Sequence, residues 1–173
     1  MRVAHGEVTL KTRKGLDWTR KFPAIARAAT SLPDCIIDGE IVALDHRGSP
    51  DFAGLQAALS EEKTDDLIFY AFDLLFEQDR DIRRERLAER KKKLQRLLLK
   101  VFGKEPKEIR YVEHFESGGD AVLKSACRMS LEGIVPKEQS VPEFVGAGIG
   151  LGTRHCQDGI LLKNRSIKFR TGY

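Results

Sequence analysis

The sequence predicts one α+β domain, and three segments carry that prediction. Residues 35–45 form an apolar, β-branched run that is typical of a strand. Residues 67–76 are almost continuously apolar or aromatic, which indicates a strand buried on both faces. Residues 85–100 combine strong helix formers with a stripe of leucines, which indicates an amphipathic helix. A chain of 173 residues is long enough for one domain with a core.

The composition indicates a soluble protein. Hydrophobic residues make up 41% and charged residues 32% of the chain. No apolar run reaches about eighteen residues, and the first residues lack an apolar signal core, so we expect a cytoplasmic location without a membrane span. Cys35, Cys127 and Cys156 are too far apart for a zinc or disulfide pattern. The net charge of +4 is compatible with a polyanionic partner.

Shorter patterns complete the predicted element order. They predict strands at 7–12, 109–115 and 131–137, and helices at 22–29, 52–59 and 120–129. Asp51 stands where the N-cap of the helix at 52–59 belongs. The helix at 85–100 also has several basic residues, which we expect on a solvated face: Arg86, Arg90, Lys91, Lys93 and Lys100.

The central strand contains Asp38, Gly39 and Glu40, which interrupt its apolar pattern. Gly39 has no side chain, so a ligand or a neighbouring backbone can approach closely. Glu40 would then project a hydrogen-bond acceptor from a rigid element, which suits the hydroxyls of a sugar. The alternative is a hairpin turn at Asp38 and Gly39 between two short strands.

Four pieces of sequence form an ordered set: Arg13 after a strand, Glu40 in Asp-Gly-Glu, Phe72 in Phe-Asp-Leu-Leu, and Glu132 with Lys137 in Glu-Gly-Ile-Val-Pro-Lys. The set resembles the nucleotidyltransferase (adenylation) domain of ATP-dependent DNA ligases, most of all the bacterial end-joining type. Residues 10–19 are similar to the Thr-Arg-Asn-Gly segment of that group, and residues 52–56 also fit. The resemblance runs from about Val8 to Lys137.

This resemblance implies antiparallel sheets flanked by helices, and a known chemistry. A lysine attacks the α-phosphorus of ATP, the AMP passes to a 5′-phosphate on DNA, and a 3′-hydroxyl displaces it. Such phosphoryl transfer needs positioning, cations and a divalent metal. The implied cofactors are ATP with Mg²⁺ or Mn²⁺. The implied partners are nicked or broken duplex DNA and other end-joining factors, with the protein itself a monomer.

The resemblance also implies roles for individual residues: Glu40 on the ribose, Phe72 on the adenine face, Glu132 on the metal ion, Lys137 and Lys163 on nucleotide phosphates, and Arg13 on DNA. Phe72, Glu132 and Lys137 also have structural alternatives. Phe72 would be an ordinary core residue, and Glu132 a strand-end charge paired with Lys137.

Two features depart from the family. The nucleophile motif Lys-x-Asp-Gly should precede the strand at Val8 and is absent, and neither Lys11 nor Lys14 precedes Asp-Gly. No catalytic residue is therefore assigned. The Trp-Leu-Lys-x-Lys strand that closes the family's site has its nearest match at 162–165, where tryptophan is missing.

These departures predict an incomplete domain. We expect a partial adenylation domain at 1–140, truncated at its N-terminus, then a divergent segment at 141–173 with a degenerate closing lysine strand. We expect no C-terminal oligonucleotide-binding domain. A truncated relic and one piece of a split gene both fit this organisation.

The sequence thus predicts an ATP-dependent DNA ligase adenylation domain that joins DNA ends in repair and recombination, impaired by the missing nucleophile. The first alternative is a catalytically dead fragment that binds nucleotide or DNA. An RNA ligase or capping-type guanylyltransferase is a second, less favoured because Thr-Arg-Lys-Gly-Leu-Asp-Trp and Phe-Asp-Leu-Leu match the DNA ligases better. The third is a product that does not fold stably.

Overall fold

The computed structural model describes residues 1–104 and 106–112, and beyond them only the backbone of three short strands. The described α-helices are α1 (Pro23–Ala29), α2 (Phe52–Ser60) and α3 (Leu87–Phe102), and a short 3-10 helix spans Thr19–Lys21. The described strands are β1 (Arg2–Ala4), β2 (Glu7–Thr9), β3 (Cys35–Val42), β4 (Ile68–Glu77), β5 (Arg80–Asp81), β6 (Ile109–Tyr111), β7 (Gly133–Ile134), β8 (Arg154–His155) and β9 (Ile167–Phe169). The predicted α+β class is confirmed.

The two longest strands, β3 and β4, pair antiparallel at the centre of the main sheet. The other edge of β3 is shared by β1 and β9, and the other edge of β4 by β5 and β6. Among the described strands only β4 and β6 pair in parallel, so the expected antiparallel arrangement has this one exception. Strands β7 and β8 pair with each other in a separate small sheet.

Strand β3 runs without a break through Asp38 and Gly39, so the alternative of a hairpin turn there is wrong. A Cβ atom at Gly39 would collide with the Phe69 ring, 2.8 Å from its Cε1, and with the carbonyl oxygen of Tyr70. Gly39 is therefore needed because the neighbouring strand approaches too closely for a side chain.

The core lies between the sheet and the helices. Its fully buried side chains include Leu10, Phe22, Ile25, Ile37, Ile41, Phe69, Leu74, Leu94 and Ile109. Helix α2 begins as predicted, because the Asp51 carboxylate accepts a 2.9 Å hydrogen bond from the Gly54 amide. Within the described residues, none of the helices has the length and apolar character that crossing a membrane requires.

The structure corrects one expectation about α3. Arg86 and Lys100 are exposed as predicted, but Arg90 is only 2% exposed and Lys91 only 6%. Both face the sheet, where Asp73 and backbone carbonyl groups compensate their charges. The sequence also missed β1, and the predicted helix at 120–129 lies outside the described residues.

Candidate functional site

Glu40 and Phe72 lie within two positions of each other across the central pair of strands. Glu40 on β3 pairs with Tyr70 on β4, and Phe72 is two residues further along β4. On its other edge Glu40 pairs with the backbone of Lys168 in β9. Glu40 is 9% exposed, so its carboxylate is held in an enclosed position on a rigid strand.

Phe72 occupies a β-bulge. Asp38 pairs with Asp73 and Gly39 pairs with Ala71, so Phe72 is an extra residue on β4 between two register positions. A bulge bends the strand locally and changes the direction of a side chain, which is why bulges are common beside binding sites. The Phe72 side chain is half-buried and is not among the described side chains that form the core or pack against it.

Two basic residues of α3 bind this bulge: one binds the backbone of Phe72 and the other binds the side chain of Asp73. The Lys91 ammonium donates hydrogen bonds to the carbonyl oxygens of Phe72 (3.0 Å) and Val112 (2.9 Å). The Arg90 guanidinium donates to both carboxylate oxygens of Asp73, at 3.0 and 2.7 Å. Sequence analysis missed this arrangement.

A signal for it was nevertheless present. The buried positions of α3 are Leu87, Arg90, Lys91, Leu94, Leu97 and Leu98. These follow the spacing of one helical face, and the two basic residues stand at positions where the pattern calls for apolar side chains. Asp73 also interrupts an apolar strand, but the sequence does not show that the two charges meet, because 17 residues separate Asp73 from Arg90.

Arg13 lies on a separate loop, in a turn between Lys11 and Asp17, whose backbones form an isolated bridge. The Thr19 side chain and amide donate hydrogen bonds of 2.6 and 2.9 Å to the Asp17 carboxylate, and they lower the pKa of Asp17. Five cations on residues 11–21 are exposed: Lys11, Arg13, Lys14, Arg20 and Lys21. The loop is therefore strongly basic.

Three of the predicted site residues, Glu132, Lys137 and Lys163, lie outside the described residues. The structure brings Glu40 and Phe72 together and places Arg13 elsewhere. Within residues 1–104 and 106–112, no three or more His, Cys, Asp or Glu side chains gather in a way that would hold a metal ion. The metal assignment to Glu132 therefore stays a prediction.

Comparison with known proteins decides the family, because residues 1–142 match the family described as ATP dependent DNA ligase domain. The chain belongs to this family. It is 34% identical, over 164 residues, to the multifunctional non-homologous end joining protein LigD of Pseudomonas aeruginosa, covering 94% of this chain and 18% of that protein. The SPbeta prophage-derived DNA ligase-like protein LigB of Bacillus subtilis is 28% identical, covering 79% of this chain and 48% of the relative.

Solved structures agree. The ligase domain of M. tuberculosis LigD superposes with a TM-score of 0.67 at 28% identity, covering 80% of this chain and 43% of that domain. A mycobacterial DNA ligase D complexed with ATP and MES gives a TM-score of 0.66 at 27% identity, covering 82% of this chain and 44% of that one. The chain thus spans less than half of these ligase domains. The resemblance to ATP-dependent DNA ligases inferred from the sequence is confirmed.

Proposed function

We propose that this chain supplies the nucleotide-holding part of an ATP-dependent DNA ligase adenylation domain, which joins DNA ends in repair and recombination. The observation that carries the proposal is the register of β3 and β4. It places a buried carboxylate, Glu40, within two positions of a half-buried aromatic ring, Phe72. A ribose and an adenine are covalently adjacent, so a nucleoside needs an acceptor and a stacking surface this close together.

Glu40 would accept hydrogen bonds from the ribose hydroxyls. An ionised carboxylate is a strong acceptor, and hydrogen bonds to charged groups are shorter and stronger than neutral ones. Glu40 is only 9% exposed, so bulk water competes weakly for its oxygens. Its place in the middle of the longest paired segment of the sheet keeps the carboxylate in one position before the nucleotide arrives.

Phe72 would stack on the adenine. Stacking of a base on an aromatic side chain is worth about 1–3 kcal/mol, and it needs one face of the ring to be accessible. Phe72 meets that requirement better than Phe69, which lies three residues earlier on β4 and is fully buried. Burial alternates along β4 from Phe69 to Phe72, so Phe72 lies on the same face of the sheet as Tyr70, the pairing partner of Glu40.

The remaining assignments rest on the family. Lys137 and Lys163 would face the phosphates of ATP, Glu132 would bind Mg²⁺ or Mn²⁺ through hard carboxylate oxygen, and Arg13 would contact a DNA phosphate. The five exposed cations of residues 11–21 support a polyanionic partner at that loop. The protein would act as a cytoplasmic monomer on nicked or broken duplex DNA, beside other end-joining factors.

Transfer of AMP to the enzyme needs a lysine nucleophile, and the 173 residues contain no Lys-x-Asp-Gly sequence. We therefore propose that this polypeptide binds nucleotide without forming the covalent lysyl adenylate. Incubation with ATP and Mg²⁺, denaturation and intact-mass measurement should show no added AMP on folded protein. An adduct would overturn this part of the proposal, and Lys11 and Lys14 would be the first positions to map.

Calorimetric titration with ATP tests the nucleotide site itself. Phe72→Leu should weaken binding by about tenfold or more because the stacking surface is lost. Glu40→Gln should also weaken binding, because a neutral amide is a poorer acceptor for hydroxyl groups. Phe76→Leu is the matched control, because Phe76 is another half-buried phenylalanine of β4 and has no assigned role. The proposed site would be overturned if the folded parent did not bind ATP measurably. It would also be overturned if Phe72→Leu and Phe76→Leu lowered the ATP affinity equally.

A further inference from the structure

We propose that Lys91 is a positioning residue, which fixes the bulge at Phe72 so that the ring is already placed for the base. This inference rests on the proposed nucleotide site. The Lys91 ammonium acts on the backbone of Phe72 and not on the nucleotide, so its contribution passes through the ring.

Lys91 binds at the point where the β4–β6 pairing ends. Ala71 pairs with Tyr111, and the Val112 amide donates a 3.1 Å hydrogen bond to the Ala71 carbonyl oxygen. Immediately beyond that bond the register of β4 is broken by the bulge. The next carbonyl groups of the two strands, from Phe72 and Val112, both accept hydrogen bonds from Lys91 at 3.0 and 2.9 Å. Lys91 thus joins the strands where the regular ladder stops.

Lys91 is itself anchored. Its ammonium lies 5.0 Å from the centroid of the Tyr111 ring, a cation–π distance, and its residue is only 6% exposed. The preceding residue, Arg90, holds Asp73 through two hydrogen bonds, at 3.0 and 2.7 Å. Arg90 also donates to the carbonyl oxygens of Arg83 (3.1 Å) and Glu85 (2.6 Å). Two consecutive residues of α3 therefore hold two consecutive residues of β4.

Ordinary packing would not need a lysine at this position. Apart from Arg90 and Lys91, the buried residues of α3 are leucines, and a leucine or methionine at 91 would pack against the sheet without the cost of burying an ammonium. What an apolar side chain cannot do is fix a backbone carbonyl in one place. Phe72 lies at the register break of β4, just beyond the end of the pairing with β6, so the Lys91 hydrogen bond supplies a constraint on its backbone at this point.

A double-mutant cycle on ATP affinity tests the inference. Lys91→Met keeps the length and apolar stem of the side chain and removes the ammonium. In protein that is folded at the titration temperature, it should weaken ATP binding by about three- to tenfold. The loss is smaller than that of Phe72→Leu because only a part of the stacking contribution is lost. In a Phe72→Leu background the same change should have almost no effect, because Lys91 acts through the ring.

Two controls make the result specific. Lys92→Met is the matched control: it removes the neighbouring charge from α3, but Lys92 is exposed and pairs with Glu89 on the helix surface. It should leave the ATP affinity unchanged. Inorganic tripolyphosphate, which has no base, should bind the parent and Lys91→Met equally well. A merely structural lysine would lower the melting temperature without this base-dependent difference.

The outcomes separate the inference from the proposed function. Suppose that the parent binds ATP and Phe72→Leu lowers the ATP affinity. If Lys91→Met then binds ATP as tightly as the parent, or lowers the affinity equally with and without Phe72→Leu, the positioning role is wrong and the nucleotide site stands. If the folded parent does not bind ATP, both are wrong. Should Lys91→Met fail to fold, Lys91→Gln retains one hydrogen-bond donor, and it should show a smaller loss of the same base-dependent kind.

Discussion

Asp73 and Arg90 form a buried ion pair between the central sheet and α3. The Arg90 Nε and Nη2 atoms lie 3.0 and 2.7 Å from the two carboxylate oxygens, and the side chains are 2% and 3% exposed. Such two-point pairing fixes the geometry as well as the distance between the elements.

The first prediction concerns this pair. Arg90→Met should destabilise the protein by about 3–5 kcal/mol, because it leaves the Asp73 carboxylate buried without its guanidinium. The double variant Asp73→Leu with Arg90→Met should regain a substantial part of that loss. The measurement is urea unfolding followed by circular dichroism. Lys107→Ala, which removes an exposed pair with Asp66, should cost no more than about 1 kcal/mol. The prediction would be contradicted if Arg90→Met and Lys107→Ala lowered the free energy of unfolding by similar amounts.

Helix α3 shows how far the sequence alone leads. Its presence and its leucine face followed from periodicity, since Leu87, Leu94 and Leu97 are buried as their spacing predicts, although the helix begins and ends two residues later than the predicted 85–100. The burial of Arg90 and Lys91 did not, because a charged residue is exposed unless a partner is known, and the partners lie 17 and 19 residues away in the chain. Contacts of that separation depend on the tertiary fold.

The candidate site was also predictable from the sequence only in part. Glu40 and Phe72 were selected from their short motifs, and the pairing of β3 with β4 brings them together. The bulge at Phe72 could not be predicted, because periodicity assumes an unbroken alternation and a bulge adds one residue. The close approach at Gly39 was one of two alternatives until the position of Phe69 was known.

The second prediction concerns Gly39. Gly39→Ala should destabilise the protein by about 1–3 kcal/mol, because the added methyl group collides with the Phe69 ring and the Tyr70 carbonyl group. When Phe69→Leu is added, the double variant should lose less stability than the two single variants lose in sum, since a smaller side chain relieves part of the collision. Thermal unfolding checks both. Full additivity would show that the Phe69 ring is not what Gly39 accommodates.

The third prediction concerns Cys35, which is 3% exposed at the start of β3. Burial raises the pKa of its thiol to about 12, so almost no thiolate exists at pH 8 in the folded protein. Iodoacetamide at pH 8 should leave the peptide that contains Cys35 unmodified in native protein and modify it after denaturation. Peptide mass spectrometry distinguishes it from Cys127 and Cys156. Rapid native alkylation of Cys35 would contradict its burial.

The same pKa makes a prediction about stability. The unfolded thiol ionises near its ordinary value of 9.0 and the folded thiol does not, so stability should fall as the pH rises from about 9 towards 12. One fully shifted group contributes about 1.4 kcal/mol per pH unit in that range. Lysines and tyrosines also titrate there, so the free energy of unfolding should be plotted against pH for the parent and for Cys35→Ala, and the two slopes compared. Identical slopes would mean that folding does not raise the pKa of Cys35.

The fifth prediction concerns Arg13 and follows from its proposed contact with a DNA phosphate. Arg13→Ala should weaken binding to a nicked duplex, and the slope of log Kd against log salt concentration should shrink by about one, because one fewer counterion is released. Fluorescence anisotropy of a labelled duplex measures both. Arg27→Ala removes another exposed arginine, on α1 and outside residues 11–21, and should leave the slope unchanged. If the two variants give the same slope as the parent, the loop is basic for solubility and Arg13 does not contact DNA.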